Sequence, residues 1–203
     1  MRESFFTGKL TRPIMMSGIF MRRYLVVLML IFPMNLHAKS DSPENLLGRY
    51  LDHIDNSRWD QIHSLTYPPD IENLKQLILR IIRFENQFEE SRVQQIIFGE
   101  KVSNEVAAQR DSFFYLARSL EQLALALRQE GFELKGHEII GDVKEGRDRI
   151  HLLTRITLEQ GGRTIDSMQI YSFQRRDRQW YMELQPSITL LLELVEHRYE
   201  MRK

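Results

Sequence analysis

"RIHLLTRITLEQGGRTIDSMQIYSFQRR", residues 149–176, decides the fold. Ile150, Leu152, Ile156 and Leu158 alternate with polar residues before the glycine pair, and Ile165, Tyr171 and Phe173 do so after it. A period of two marks half-buried strands. Gly161-Gly162 between two such runs is a tight hairpin turn. The clusters Lys144-Glu145-Gly146-Arg147 and Arg175-Arg176-Asp177-Arg178 punctuate the chain on either side. Four strand-like runs result, near 133–143, 149–159, 164–174 and 179–185, in sequence order. The simplest arrangement is a four-stranded antiparallel meander.

The turns imply a register. With Gln160 opposite Arg163, Leu152 faces Tyr171, Thr154 faces Gln169 and Ile150 faces Phe173. With Gln174 opposite Gln179, Phe173 faces Trp180 and Tyr171 faces Met182. With Lys144 opposite Arg147, Ile139 faces Leu152 and His137 faces Thr154. One face then collects Ile139, Val143, Ile150, Leu152, Ile156, Leu158, Ile165, Tyr171, Phe173, Trp180, Met182 and Leu184. This is the expected core face, since an antiparallel sheet separates its apolar and polar residues by alternation. A one-residue slip would invert it. Gly136 and Gly141 are expected to be bulges.

Upstream of the strands the period is helical. Ser42-Pro43-Glu44 supplies a cap, a first-turn proline and an acid. Leu47, Tyr50, Leu51 and Ile54 follow at helical spacing. Trp59, Ile62 and Leu65 mark a short helix that Pro68-Pro69 closes. Asp70 can cap a third helix lined by Leu74, Leu77, Ile78, Ile81 and Ile82. Residues 92–99 fit either a helical turn or a short strand. Ser103 or Asn104 can cap a long helix to about Gln129, with Phe113, Leu116, Ala117, Leu120, Leu123, Ala124 and Leu127 as its buried stripe. Pro186-Ser187 opens a last helix carrying Ile188, Leu191, Leu192, Val195 and Tyr199. Leu190 and Leu194 lie off that stripe. They are expected to pack under the sheet's outer face against Leu153, Met168 and Ile170, or else to pair with a second subunit. The class is α+β: N-terminal helices packed on a curved antiparallel four-stranded meander, with an extra C-terminal helix.

The stretch "IDNSRWDQIHSLTYPPD", residues 54–70, resembles the helix-break-Trp-Asp-x-x-x-x-Leu-Tyr-x-x-Asp signature of the nuclear transport factor 2-like (ketosteroid-isomerase-like) superfamily. The C-terminal meander is similar as well. The resemblance implies a cone of helices in a curved sheet with a pocket at the open end. The superfamily includes isomerases, dehydratases, lipid carriers and non-enzymatic interaction domains, so the fold does not choose the function. The helical block 71–130 is longer than the family usually carries, no convincing first strand precedes it, and the last helix is an addition.

One row on the expected core face is polar: His137, Thr154 and Gln169 in adjacent strands. Buried polar groups must find partners or cost about 1–3 kcal/mol each. Either the row frays at the sheet edge and bonds within itself, or it marks a pocket of mostly apolar wall with a few convergent polar groups. On the second reading His137, Thr154, Gln169, Tyr171 and Trp59 are the ligand-binding residues. "HEIIG" from His137 has no second histidine, and on a strand it sends His137 and Glu138 to opposite faces, which excludes a helical zinc-protease site. No metal ligand set, phosphate-binding loop, nucleophile elbow or cofactor motif stands out, and no catalytic residue is assigned.

The 203 residues include no cysteine, 28 basic and 28 acidic residues. "MRRYLVVLMLIFPMNLHAKS", residues 21–40, reads as a secretory signal: Arg22 and Arg23, an apolar block from Leu25 to Phe32, and a small residue before a cut at Ala38/Lys39. The block is short for a membrane span, which needs roughly 20 apolar residues. Met21 is then the expected start and 1–20 an over-called extension. The expected domain is 39–203, with a helical part 42–130, a sheet 132–185 and a final helix 187–202. Without the leader the charge is −4, with 23 basic and 27 acidic residues interleaved. That argues against a nucleic-acid partner. The expectation is an exported, periplasmic or secreted, non-catalytic binding protein of the cell envelope, holding a small apolar ligand or lipid, or a partner protein. It needs no cofactor and is not membrane-spanning after cleavage. The alternatives are a cofactor-free isomerase- or dehydratase-like enzyme using His137, and an assembly subunit or homodimer docking through the last helix.

Overall fold

The computed structural model describes residues 41–201. The leader, its cut at Ala38/Lys39 and the extension 1–20 lie outside them. The described elements belong to one compact unit. They are α1 (Pro43–Asp55), α2 (Trp59–Ile62), α3 (Pro68–Gln87), α4 (Arg92–Phe98), α5 (Asn104–Ala108), α6 (Ser112–Gln129), β1 (Phe132–Glu145), β2 (Arg149–Gln160), β3 (Arg163–Arg176), β4 (Gln179–Met182) and α7 (Pro186–Glu200). The strands form an antiparallel sheet in the order β1-β2-β3-β4, so the architecture is the α+β class expected.

Local chemistry sets most boundaries. The Ser42 hydroxyl accepts from the Asn45 N–H, and Pro43 opens α1. Gly99 ends α4 in the left-handed region at φ +78°, which resolves 92–99 as helix. The long helix expected after Ser103 is two helices. Ser103 caps α5, accepting from the Val106 N–H, and Asp111 caps α6, accepting from the Phe114 N–H at 2.7 Å. Two good capping residues eight apart each start their own helix.

Asp70 does not cap α3. The helix begins two residues earlier at Pro68, where a missing N–H costs nothing. The Asp70 carboxylate instead accepts from the Leu184 N–H at 2.9 Å. Next to it, the Tyr67 N–H donates to the Met182 carbonyl, and the Met182 N–H donates to the Leu65 carbonyl, both at 2.7 Å. Thr66 and Met182 form a single parallel bridge. The segment "LTYPPD" therefore acts as a minimal edge strand on β4, where the sequence offered no strand period.

The β2–β3 register is the one the glycine turn implies, with Leu152 opposite Tyr171 and Thr154 opposite Gln169. Gly161 and Gly162 both take positive φ, 57° and 77°, as a type I′ turn requires. The β3–β4 register differs by two residues: Phe173 faces Met182, and Arg175 faces Trp180. Asp177 and Arg178 adopt positive φ themselves, so the turn tightens to two residues and β3 lengthens. A slip of two keeps every side chain on its face.

The β1–β2 register differs more. Glu145 pairs with Arg149 across a three-residue turn, and bulges fall at Leu134/Gly136 and Ile139/Gly141. The longer turn sends Val143 to the outer face opposite His151, 67% exposed, instead of to the core. The first bulge met from the turn restores the parity. Ile139 then faces Thr154, and His137 faces Ile156 rather than Thr154.

The core lies between α1, α3, α6 and the inner sheet face, built on Leu47, Leu74, Ile78, Ile81, Leu116, Leu152 and Phe173. Ile165, expected in it, is exposed beyond the helical layer. On α6 the buried residues are Tyr115, Leu116, Leu120 and Ala124, while Leu123 and Leu127 are open. Helix α7 packs on α3, not under the sheet, with Arg80 and Glu196 paired at 2.5 Å. Leu153, Met168 and Ile170 remain exposed on the outer face.

Burial raises the pKa of Asp70 above its ordinary 3.8, outweighing the Leu184 hydrogen bond. A raised acid binds its proton more tightly when folded, so this group's contribution to stability falls as pH rises through the window above 3.8. Asp70→Asn keeps an acceptor and cannot ionise. In urea unfolding it should gain stability relative to wild type as pH rises from 3 to 7 (the two converging near pH 3). Asp70→Ala should lose about 1–3 kcal/mol, because the Leu184 N–H is stranded.

Candidate functional site

The residues singled out from the sequence are not brought together. Thr154 is fully buried, and its Oγ1 has no hydrogen-bond partner among the described residues. Tyr171 is buried one row further in. Gln169, across from Thr154, is exposed and donates to the Ser167 hydroxyl at 2.9 Å. His137 is exposed, and its side chain makes no hydrogen bond among the described residues. Trp59 is half-buried against the core from α2. Thr154 and its β1 partner Ile139 lie under the helical layer, whereas Gln169 across from Thr154 on β3, and His137 one row further along β1, are exposed.

Helix α1 contributes two inward polar groups: Tyr50, which lies on the stripe its helical spacing marked, and His53, which does not. Tyr50 is buried beside Tyr171. Burial pushes the Tyr171 phenol up to about 12 and the Tyr50 phenol further, the neighbouring Tyr171 adding to it. Both phenols are therefore neutral hydrogen-bonding groups at physiological pH. His53 is also buried, with Nδ1 unpartnered and 3.9 Å from the Asp52 carboxylate.

A groove of about 790 Å³ opens where the helices part from the sheet. Its floor is Phe132, Leu134 and Leu158, a paired row on the inner face of β1 and β2. Ile54 and Ser57 wall one side, and Ala124, Leu127 and Arg128 the other. Arg128 is anchored by neutral acceptors, the Asp55 carbonyl at 3.1 Å and the Ser57 hydroxyl at 3.0 Å. It makes no ion pair among the described residues. Its charge is thus placed at the rim without an ion pair, in a groove that Asp55 and Glu133 also line. None of the five sequence-derived residues lines this groove. One signal for it was available: Leu127 on α6 and Leu158 on β2 are end-of-element apolar residues, where an element outruns its neighbour.

Two further clusters are explained by packing. Glu85 is fully buried and accepts from the N–H groups of Val93 and Gln94 at 2.6 and 3.0 Å, capping α4 from outside. On the outer sheet face, His151 contacts Ser172 Oγ through Nδ1 at 2.8 Å and Glu145 through Nε2 at 3.1 Å. The carboxylate orients the imidazole so that Nδ1 can accept from the serine. The neighbouring backbone is committed to the ladder, including the Ser172 carbonyl with the Glu183 N–H. Among the described residues, no cluster of His, Asp and Glu is arranged to hold a metal, and no helix is long and apolar enough to cross a membrane.

Neither a family model nor a curated protein matches the sequence. Solved structures do. A SEC-C motif containing protein from Rhodopseudomonas palustris matches at 14% identity, over 70% of this chain and 76% of that one, with a TM-score of 0.38. A Campylobacter jejuni protein described as an NTF2-like transpeptidase matches at 12% identity, over 71% of this chain and 100% of that one, also with a TM-score of 0.38. Likenesses this slight carry no inference about activity.

Thr154→Val tests the orphaned hydroxyl. Removing an unpaired buried polar group should leave stability unchanged or raise it by up to about 2 kcal/mol in denaturant unfolding. A loss instead would mean that the hydroxyl is bonded in solution.

Proposed function

We propose that the chain is an exported, non-catalytic binding protein that holds a small apolar ligand or lipid in the groove between α1, α6 and the β1–β2 end of the sheet. The observation behind this reading is the groove itself. It lies within the size range of small-molecule sites, about 300–1,000 Å³, and combines an apolar floor with one cation at its rim, Arg128, which makes no ion pair among the described residues although Asp55 and Glu133 line the same groove. An acidic headgroup on an apolar tail meets both features. A pocket at the open end of the helix–sheet layer is also what the resemblance on residues 54–70 implies.

The reading is tested on the full chain with a fluorescent long-chain fatty acid and by native mass spectrometry for co-purified lipid. Leu127 is already 43% exposed, so Leu127→Asp should leave the melting temperature within a few degrees. It should weaken binding about tenfold or more, since burying one leucine side chain stabilises by about 1.5–3 kcal/mol. Arg128→Ala should weaken the fatty acid but not its uncharged alcohol. Equal binding by all three proteins would remove the groove from consideration.

Export is tested separately. The secreted or periplasmic form should begin at Lys39 when its N-terminus is sequenced. A form retaining residues before Met21 would exclude the proposed start.

A further inference from the structure

Helix α7 carries two apolar seams. Ile188, Leu192, Val195 and Tyr199 pack on the body of the protein. Leu190, Leu194, His197 and Met201 repeat the same 4-3-4 spacing two positions on. Two residues turn a helix by about 200°, so the second seam lies opposite the first. It faces solvent: Leu190 is 56% exposed, Leu194 59% and Met201 71%. The spacing is that of core positions in a two-stranded coiled coil. Glu193 and Glu200 flank this seam on the side nearer Arg80, whose charge both of them feel, and Arg198 flanks it on the other, all exposed; within the seam, His197 lies 3.9 Å from the Glu200 carboxylate.

We propose that this outward seam docks a second copy of the chain, with the two α7 helices packed in parallel. The flanking charges choose both the occupant and the direction. In a parallel pair, a flanking residue meets the one five positions on in the partner, which places Glu193 opposite Arg198 on both sides of the two-fold axis. In an antiparallel pair, Glu193 would meet Glu200, a repulsion made twice. Arg198 makes no ion pair among the described residues, so it is available for the partner. Each protein body lies behind the opposite seam of its own helix and stays clear of the two-fold axis. The helix has only 15 residues, about two heptads, so the contact is small and the dimer reversible.

The chain has no cysteine, which permits a direct test on the full-length protein. Leu194→Cys should form a symmetric disulfide dimer under mild oxidation, because equivalent core positions meet only in the parallel arrangement. Light scattering over a concentration series should show a monomer–dimer equilibrium. Glu193→Arg should weaken it about tenfold, replacing two attractions by two repulsions, and adding Arg198→Glu should restore it. All three sites are exposed, so circular dichroism should be unchanged. A monomer at every concentration would overturn the proposal, including a monomer that binds lipid vesicles through Leu190 and Leu194. A dimer that Leu194→Cys fails to cross-link, or that ignores both charge variants, would also overturn it.

Discussion

The contact between "LTYPPD" and the end of β4 holds the two halves of the fold together. Leu65, Tyr67 and Asp70 use two carbonyl–amide bonds and one carboxylate–amide bond to fix Met182 and Leu184. Among the described residues, the elements on either side of this segment up to Gln129 are helices, and those from Phe132 to Met182 are strands. The clamp sets where α3 starts, because Pro68 follows Tyr67 directly. It sets where α7 starts, because Pro186 follows the anchored Leu184 by two residues. Thr66, at its centre, is 1% exposed and turns its hydroxyl back to the Ile62 carbonyl. Little in the segment can shift without moving an N–H away from its only acceptor, and a buried unpaired N–H is costly.

With β4 fixed against the helices, the opposite end of the sheet is where the layers part. The helical layer covers β2 through Ile150, Leu152, Thr154 and Ile156, then ends at the last turns of α1 and α6. β1 and β2 continue beyond it. The row of Leu134 and Leu158 therefore meets a groove instead of a helix. The bulge at Ile139/Gly141 brings Ile139 and His137 to the inner face despite the three-residue turn at Gly146, and the bulge at Leu134/Gly136 returns Leu134 to it. Without the second bulge alone, the floor of the groove would lose Leu134.

The fold class was legible because period and turn chemistry agree: the 3.6 repeats of α1 and α3, the Gly161-Gly162 turn, and the alternation of β2. The register of β1 was not, even though Gly136 and Gly141 mark its bulges, because a bulge changes parity only once its exact position is known. The two-residue shift at Asp177-Arg178 was hidden for another reason. Neither residue is glycine, so nothing in the sequence announces two positive φ values. The polar row His137, Thr154 and Gln169 was read across strands correctly only from Thr154 to Gln169. What divides that row, the end of the helical layer, is a tertiary boundary with no local signal. The clamp was missed for the same reason, since a single bridge has no period.

Among the described residues, the outer sheet face, the groove and the α7 seam leave apolar surface open, and their surrounding charges distinguish them. On the outer sheet face, Leu153, Met168 and Ile170 are bracketed by pairs closed within the chain: Arg155 with Glu138, Arg149 with Glu145 and Glu183, and His151 with Glu145 and Ser172. A charged partner there would first have to break bonds already made. At the groove, Arg128 is held only by neutral oxygens. On α7, Arg198 has no ion-pair partner among the described residues, while Leu190 and Leu194 stand exposed beside it. An un-neutralised charge next to apolar surface gives an approaching molecule both a driving force and an orientation, because burying the pair costs less than burying either charge alone. The groove and the α7 seam have a cation without an ion pair beside apolar surface and the outer sheet face does not, which is why we propose recognition at the first two.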